Sequence, residues 1–570
     1  MPDVVIRGGT LIDGSGAPGR TSDVAIDGDR IVEVGQVSSR GDREIDADGL
    51  LVIPGLVDIH THYDGQALWD SLLSPSCWQG VTTIVMGNCG VGFAPAAPEH
   101  HEFLINLMEG VEDIPGAVLA EGLGWDWESF PEYLDAIERK PHAIDIGAQL
   151  PHGALRTYVM GERGADHTVR ASEAEIARMG ELACEAMLAG AIGFSTSRTV
   201  NHRSRDGEPT PSLTASAEEL EGIARGIRAA GKGVLQGISD FFEFESEFDV
   251  FRRMAVAAGR PMSLTVLQNP AAPDQWRDLM EQITKANEEG IAMAGQVATR
   301  AIGVMLGLDA SFHPFSTCPT YESLASLPLA QRVARMRDPQ VKERIVAELD
   351  SADPRAATFA SFVNLYVLGD PPEYEPSPDS SIGARAERDG VAPAALAYDL
   401  LLERDGRALL YRPVMNYVTG NHDVTREMLL HPRTLPGLGD GGAHLGLICD
   451  VSFPTYLLSH WGRERTRGEG MPIEWLVKRQ SRDTAVWVGL EDRGLLAPGM
   501  KADVNVIDFD VLSPREPEIV HDLPTGARRL IQRASGYRQT LVSGRVVMEE
   551  GEHTGELPGS LVRGAQEARA

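Results

Sequence analysis

The sequence predicts an α/β fold in which a closed (β/α)8 barrel carries a small β-rich domain built from both chain ends. Three observations favour this fold: β-prone runs at each end of the chain, alternating helix and strand segments between them, and a histidine pair at the end of a nearly continuous apolar strand. At 570 residues the chain is long enough for a barrel of typical size and a second domain.

Both ends of the chain consist of β-prone runs separated by turns. At the start, an Asp-Gly pair at residues 27–28 is a strong hairpin signal. At the end, residues 502–510 and 538–552 alternate in the same way between glycine turns. We therefore expect residues 1–55 and 495–552 to form one small sheet domain, the alternative being two unrelated β segments.

Between residues 56 and 494 the pattern changes to alternating helices and strands. A capping box of Ser172 with Glu175 predicts one helix, and apolar residues at helical spacing follow it. Gly190 ends this helix, the next strand reads AIGFSTS, and similar units repeat further along. No glycine-rich dinucleotide turn follows the first strand, so a closed barrel is favoured over an open sheet.

Two segments do not fit this repeated pattern. Residues 312–400 are rich in proline and acidic residues, and we interpret them as an insertion or a long lid. Residues 553–570 read as a polar tail after the sheet domain.

Charge and cysteine usage limit the partners and the compartment. The chain has 52 basic and 83 acidic residues, a net charge of −31, which repels phosphate backbones and makes nucleic acid an unexpected partner. Five cysteines without CxxC spacing fit neither a disulfide framework nor a zinc ribbon, so a cytoplasmic location is expected. The sequence shows neither a signal peptide nor a membrane span, and it leaves the oligomeric state open, a homo-oligomer included.

The most informative stretch is LLVIPGLVDIHTHYDG, residues 50–65. Successive residues of a strand point to opposite faces, so His60 and His62 project the same way. The strand before them is apolar, as a buried parallel strand should be, and it ends where the active sites of such barrels lie. Two imidazoles there can bind one divalent ion, although a spacing of two also arises by chance.

A second strand, within residues 80–95, ends at Asn88-Cys89-Gly90. A thiolate at a strand end is a good soft ligand for zinc. The glycines on both sides of the Asn-Cys pair let the backbone bring the cysteine close to such an ion. The alternative is an ordinary buried thiol, which is what a lone cysteine usually is.

A third feature is LPGLGDGGAHLGLICD, residues 435–450. Asp440 ends a short run and is followed by two glycines and His444, as at a strand end that turns sharply into a loop. A carboxylate there can complete a metal site and take a proton from the attacking water. The alternative is a helix N-cap or turn aspartate.

Other catalytic motifs are missing from the sequence. It contains no G-x-S-x-G elbow, P-loop or Rossmann fingerprint, which removes the best sequence support for serine hydrolases, NTPases and dinucleotide enzymes.

Together these segments resemble the amidohydrolase superfamily, and most closely its N-acyl-D-amino-acid deacylase (D-aminoacylase) branch. The resemblance runs over nearly the whole chain and includes PGLVDIHTHYDG, TTIVMGNCGVGFAP, GAIGFSTS, GDGGAH and DRGLLAPGMKADVNVIDFD. GNCG is the specific part, because hydantoinases, ureases and dihydroorotases typically use a carbamylated lysine. The resemblance implies a distorted (β/α)8 TIM barrel with a small β-sandwich formed by both chain ends, and a metal-dependent hydrolase of amide C–N bonds.

The resemblance also assigns roles to individual residues. It makes His60 and His62 metal ligands of the first strand, Cys89 a bridging thiolate ligand, and Asp440 both a metal ligand and the catalytic base. His152, in AQLPHGALR, matches a family histidine after the third strand, with a role on the substrate side or in the structure.

The chain departs from the family at two strands. Strands five and six of the family end in metal-binding histidines, whereas the matching segments here read GVLQGIS and MSLTVLQN, with Gln236 in the first. The tightly held zinc of the deacylases relies on those histidines. We therefore expect one divalent ion, zinc, held by four ligands or by three and water, with Gln236 and His444 on the substrate side.

The expected substrate is a small-molecule amide. Relatives that cleave N-acyl-D-amino acids need a cation for the free carboxylate, which Arg198, Arg300 or Arg156 could supply, although each also suits a structural role. Another amide, a cyclic amide or an ester is the alternative substrate. An alternative of another class is a barrel without metal that serves as a binding or scaffold protein.

Overall fold

The computed structural model describes residues 1–349 and 361–568, and its centre is a sheet of eight parallel strands. The strands pair in the order in which they occur along the chain. In chain order they are β1 (Leu56–Asp58), β2 (Val81–Met86), β3 (Asp145–Pro151), β4 (Gly193–Arg198), β5 (Val234–Ser239), β6 (Met262–Thr265), β7 (Met293–Val297) and β8 (Thr434–Pro436). Nearly all of their residues are buried, as parallel strands covered by helices require.

The sheet closes into a barrel just beyond the ends of β1 and β8. Thr61 and Gly441 form a parallel bridge there. The amide of Asp440 donates to the carbonyl of His60 (3.1 Å), and the amide of His62 donates to the carbonyl of Gly441 (2.8 Å). The first and last strands are therefore joined, and the predicted barrel is confirmed.

Helices occupy the connections between the barrel strands and cover the outer face. Ser172 caps the helix Glu173–Ala189 as the sequence predicts, and Ser216 caps the helix Ala217–Ala230 in the same way; each side chain accepts from the amide three residues on. None of the helices in the described ranges is both long and apolar enough to cross a membrane. The helices are α1 (His101–Glu112), α2 (Gly116–Gly122), α3 (Phe130–Glu138), α4 (His152–Met160), α5 (Glu162–Ala165), α6 (Glu173–Ala189), α7 (Ala217–Ala230), α8 (Phe244–Ala258), α9 (Gln275–Glu288), α10 (Pro319–Ala325), α11 (Leu329–Met336), α12 (Pro339–Glu348), α13 (Ile382–Asp389), α14 (Pro393–Leu401), α15 (Asp423–Leu430), α16 (Phe453–Ser459), α17 (Ile473–Lys478) and α18 (Thr484–Trp487).

Both chain ends build one nine-stranded sheet beside the barrel. Its two halves meet where Leu51–Pro54 pairs antiparallel with Val504–Ile507. This arrangement confirms the predicted fold class, and on its basis we propose residues 1–55 and 495–552 as the limits of the domain. The other strands of the sheet are Val4–Leu11, Arg20–Asp27, Arg30–Gly35, Arg43–Asp46, Tyr537–Val542, Arg545–Glu549 and Glu552–His553.

The segment predicted as an insertion contributes helices α10 to α14 and one strand, Tyr366–Val367, of a small antiparallel sheet. The sheet consists of Ile302–Leu306, Tyr366–Val367 and Leu410–Met415. Residues 350–360 of the predicted insertion lie outside the described residues.

The closing segment, predicted as a polar tail, packs in part against the barrel. Leu561 forms a parallel bridge with Ile146 of β3, and both Leu561 and Val562 are buried. The two apolar side chains decide this outcome, because their burial against the barrel outweighs the polar character of their neighbours.

A buried cluster of charges connects the barrel to the sheet domain. Asp145, at the start of β3, accepts hydrogen bonds from Arg493 (2.7 Å) and from the amide of Ser560 (2.9 Å). Lys501 Nζ lies 2.9 Å from the same carboxylate. Burial alone would raise the pKa of Asp145, but Lys501 and Arg493 outweigh it and hold this pKa at about 2.

Removing this buried charge should destabilise the fold. Asp145→Asn is expected to lower the free energy of unfolding at pH 7 by about 3 kcal/mol, because two buried cations lose their counter-charge. The folded pKa of Asp145 lies below its unfolded value of 3.8, so the ionic contribution is complete above that pH and is lost as pH falls through about 2. Urea denaturation at pH 7 and pH 3 measures both effects, and the difference between the proteins should narrow at pH 3.

The exposed pair of Asp135 with Arg563 provides the control. Asp135→Asn should change the unfolding free energy by less than about 1 kcal/mol. Equal losses in the two variants at pH 7 would contradict the role given to Asp145.

Candidate metal centre

Two imidazoles enter the barrel directly after β1. His60 and His62 are both buried, and their ring centroids are 5.5 Å apart. They share one side of the strand because side chains alternate along extended backbone. Burial lowers the pKa of His60 to about 4, so this ring is neutral and can offer a lone pair.

Cys89 reaches the same point from the loop after β2. Its backbone is in the left-handed region at φ 55°, a strained conformation for a residue with a side chain. A Cβ on the following Gly90 would lie 3.0 Å from the backbone of Thr196, so glycine permits this close approach. The Cys89 sulfur lies 3.4 Å from His60 Nε2, and burial raises the pKa of its thiol to about 11.

Asp440 completes the group from the loop after β8. Its Oδ1 lies 3.4 Å from His60 Nε2 and 3.5 Å from His62 Nε2. Burial would raise the pKa of Asp440, but the hydrogen bond from His62 and the two imidazoles lower it, so the carboxylate is ionised. The ligand atoms of His60, His62 and Cys89 lie within 4.8 Å of one another, and this donor set, with the Asp440 carboxylate beside both imidazoles, suits a divalent ion such as zinc.

The outward-facing nitrogens of both histidines also have partners. His60 Nδ1 donates to Gln296 Oε1 (2.6 Å), and Gln296 Nε2 donates in turn to Ser263 (2.9 Å). His62 Nδ1 lies 3.2 Å from Glu112 Oε1, at ion-pair distance but without the alignment of a hydrogen bond. Such partners fix the orientation of ligand imidazoles. The Nε2 atoms of His60 and His62 therefore both face Asp440.

Sequence reasoning missed these three supporting residues. Gln296 lies on β7, and its position on the inward face of that strand is a signal that could have found it. Glu112 ends α1, between β2 and β3, and its local sequence carries no comparable signal.

Gln236 supports the cysteine loop with its side-chain oxygen, while its Nε2 has no hydrogen-bond partner among the described residues. Its Oε1 accepts from the amide of Cys89 (3.0 Å), and Ser195 accepts from the amide of Gly90 (2.9 Å). On the next strand Ser263 is bonded to Gln296. The interior faces of β5 and β6, where the family has histidines, therefore carry a buried, hydrogen-bonded layer of neutral side chains.

His152 and Arg198 do not present free polar atoms to the metal centre. His152 donates to Glu219 (3.0 Å) and accepts from Thr196 (2.8 Å), in a fully buried position. Arg198 forms a two-pronged pair with Glu247, at 2.8 and 2.7 Å. Partners within the protein already bind these polar atoms, so the substrate-side roles expected of the two residues stay predictions.

His444 remains beside the metal centre. Its Nε2 lies 3.7 Å from Glu112 Oε2, its side chain is 24% exposed, and its amide donates to the carbonyl of Glu112. Glu112 therefore contacts both a candidate ligand, His62, and the loop that follows Asp440.

The other two arginines considered for a substrate carboxylate are also paired. Arg156 is bonded to Glu219, and Arg300 lies 3.0 Å from Asp450 and stacks on Tyr374. Both arginines are fully buried. None of the three arginines named from the sequence is therefore free to bind a carboxylate.

A second group of buried potential ligands consists of Glu375, His422 and His460. Here the protein supplies the cation itself, since Arg465 donates to both oxygens of Glu375 (3.2 and 3.1 Å). His422 Nε2 accepts from the amide of Ala301 (3.1 Å), so its Nδ1 carries the proton and cannot bind a metal. We interpret this group as a structural hydrogen-bond network.

Comparison with known proteins shows which family the chain resembles in sequence and in fold. The sequence model of the amidohydrolase family matches residues 43–548. A D-aminoacylase of Alcaligenes xylosoxydans xylosoxydans is 28% identical, over 98% of this chain and 97% of the relative. Among solved structures, a D-aminoacylase described by its binuclear metal centre has a TM-score of 0.65 at 24% identity, covering 99% of this chain and 100% of that one.

A further solved structure is the N-acyl-D-glutamate deacylase of Bordetella bronchiseptica in complex with zinc and a phosphonate inhibitor. It has a TM-score of 0.64 at 23% identity, covering 99% of both chains. These comparisons confirm the predicted fold, the predicted resemblance to D-aminoacylase and the predicted class of enzyme, a metal-dependent hydrolase of non-peptide C–N bonds. The chain belongs to the amidohydrolase family.

Proposed function

We propose that this protein hydrolyses the amide bond of N-acyl amino acids or closely related amides, using one zinc ion. The observation that supports this most is the convergence of His60, His62, Cys89 and Asp440 at the C-terminal mouth of the barrel. The relatives named D-aminoacylase and N-acyl-D-glutamate deacylase support the N-acyl-D-amino acid as first candidate.

In this proposal the four side chains hold the ion, and Asp440 also moves the proton. A divalent ion at such a site polarises the scissile carbonyl and activates water for attack. Asp440, ionised and open to the cleft on one side, accepts the proton of that water and delivers it to the leaving nitrogen. The products are then a carboxylic acid and an amine.

The side chains on the interior faces of β5 and β6 support the proposal that the protein binds one ion. Gln236 and Ser263 offer no strong ligand there, and both are engaged in holding Cys89 and Gln296. D-aminoacylase is itself described as having one-metal activation and second-metal attenuation. A single occupied position is therefore compatible with hydrolysis in this family.

The pairing of the three arginines favours a second candidate substrate. Because Arg156, Arg198 and Arg300 are all committed, a free carboxylate on the substrate lacks the partners expected for it. This observation keeps an uncharged amide, a cyclic amide or an ester as the alternative substrate. The alternative of another class, a binding or scaffold protein on the same barrel, applies only if the protein binds no metal.

Removing the thiolate should remove the ion. Cys89→Ser is expected to reduce bound zinc from about one ion per chain to well below half, because a soft anionic ligand becomes a neutral hydroxyl. Cys184→Ser, at a half-buried cysteine on α6, is the matched control and should keep full occupancy. Metal analysis after dialysis measures both, and two ions per chain in the wild type would contradict the proposed count.

The proposed activity is tested with paired N-acetyl-D- and N-acetyl-L-amino acids and their uncharged amides. The zinc-loaded protein should hydrolyse at least one member, and Asp440→Asn should lower kcat by about 100-fold or more, since proton transfer contributes about 10²–10⁴. Zinc content of the variant is measured alongside. Stoichiometric zinc without turnover of any member would overturn the deacylase proposal, and absence of zinc would favour the scaffold.

Glu112 should act on the metal through His62. Glu112→Gln is expected to weaken zinc affinity by about 10–100-fold, as is typical when the partner of a ligand histidine is lost. Glu109→Gln, on the same helix with a surface partner in Arg205, is the control and should leave affinity unchanged. Competition with a zinc chelator measures the affinities, and equal values for both variants would refute the positioning role.

A further inference from the structure

A small cavity lies at the C-terminal ends of β4, β5 and β6, at the mouth of the barrel. Its volume is about 70 Å³, far below the roughly 300–1,000 Å³ of pockets that enclose a whole ligand, so it can hold only one substituent. The lining residues that matter here are Ile238, Phe241, Thr265, Leu267, Trp276 and Met415.

The cavity adjoins the residues that support the metal centre. Thr265 is the cross-strand neighbour of Gln296, which holds His60. Ile238 follows Gln236 by two residues on β5, which places it on the same face about 6.6 Å nearer the mouth. A group in the cavity therefore lies on the β4 to β6 side of the mouth, across from the ligands supplied by β1, β2 and β8.

The walls combine apolar side chains with neutral polar ones, among them Thr199, Asn201 and Gln275, and none of the described residues that line the cavity is a cation. Asp240 is the one ionisable residue in the lining, and its carboxylate accepts from Thr199 Oγ1 (2.6 Å) and the amide of Val200 (2.7 Å). Arg277 stacks on the Trp276 ring but does not line the cavity, and it is paired with Glu427. A carboxylate in the cavity would be buried without a counter-charge, which is strongly unfavourable.

Two polar groups of the lining residues lack partners. Thr265 Oγ1 and Trp276 Nε1 are both buried, and neither has a hydrogen-bond partner in the described part of the chain. An unsatisfied buried donor costs about 1–3 kcal/mol, and the indole N–H can only donate. The two groups together provide donors that an acceptor atom on a bound molecule would satisfy.

We propose that this cavity is a specificity subsite that binds a small, uncharged substituent of the substrate, with a hydrogen-bond acceptor facing Thr265 and Trp276. The inference rests on the proposed amide hydrolysis only in assigning the substituent to an amide. The substituent belongs either to the acyl side or to the amine side of that bond.

Two series of neutral amides on the zinc-loaded protein distinguish these sides. The first extends the acyl chain from acetamide to hexanamide, and the second extends the amine side from N-methylacetamide to N-hexylacetamide. Dissociation constants are measured by ligand-observed NMR. In one series affinity should rise about fourfold for each added methylene until the cavity is full and then fall, and that series identifies the side.

Enlarging the cavity should move this size limit. Leu267→Ala should shift the optimum to a longer chain by one or two carbons, whereas Leu188→Ala, at an exposed leucine of α6, should not. Zinc content and the unfolding transition report whether each variant is intact. If Leu267→Ala does not fold, Trp276→Phe is used as the test variant instead. It should weaken the binding of the best amide several-fold.

The proposed hydrogen bond from the Thr265 hydroxyl to the substituent is tested separately by Thr265→Val. Because Oγ1 has no partner, this change should not lower stability, yet it should weaken the best amide about fivefold. Unchanged dissociation constants in both Thr265→Val and the cavity variants would overturn the subsite. If the amides bind with the predicted size limit but the panel of N-acetyl amino acids and their amides is not hydrolysed, the proposed function is overturned and the subsite stands.

Discussion

The site depends on the closure of the barrel between its first and last strands. Two backbone hydrogen bonds, from Asp440 to His60 and from His62 to Gly441, fix the loop after β8 against the end of β1. These contacts bring side chains separated by about 380 residues within 3.5 Å of one another. Without closure, the histidine pair and the carboxylate would lie on separate edges of an open sheet, and no common donor set would exist.

Charge balance distinguishes this site from the other buried cluster of the barrel. Around Glu375 the chain provides its own cation, Arg465, and each polar atom has a defined partner. Around His60 the buried groups are a carboxylate, a thiol and a second carboxylate at Glu112, and the cation comes only from imidazole protonation or from a bound ion. Burying anionic groups without compensation is costly, which explains why this cluster suits a divalent metal.

Local periodicity and strand ends predict the barrel and the position of the histidine pair, whereas the roles of Cys89 and Asp440 follow only from the resemblance to a known family. The supporting residues required tertiary information, since Gln296 is separated from His60 by 236 positions and has no motif of its own. The pairing of Arg198 with Glu247 could not be predicted either, because only the folded chain brings this partner near. Residue type and spacing therefore indicate ligands at strand ends, but they do not reveal which polar groups are already satisfied.

The most direct measurement is a crystal structure of the zinc-loaded protein with anomalous diffraction at the zinc edge. We expect one anomalous peak per chain, about 2.0–2.3 Å from His60 Nε2, His62 Nε2 and Cys89 Sγ, and close enough to Asp440 for its carboxylate to coordinate the ion. A peak at the Glu375 cluster instead, or no peak among these four side chains in protein that retains zinc, would contradict this expectation.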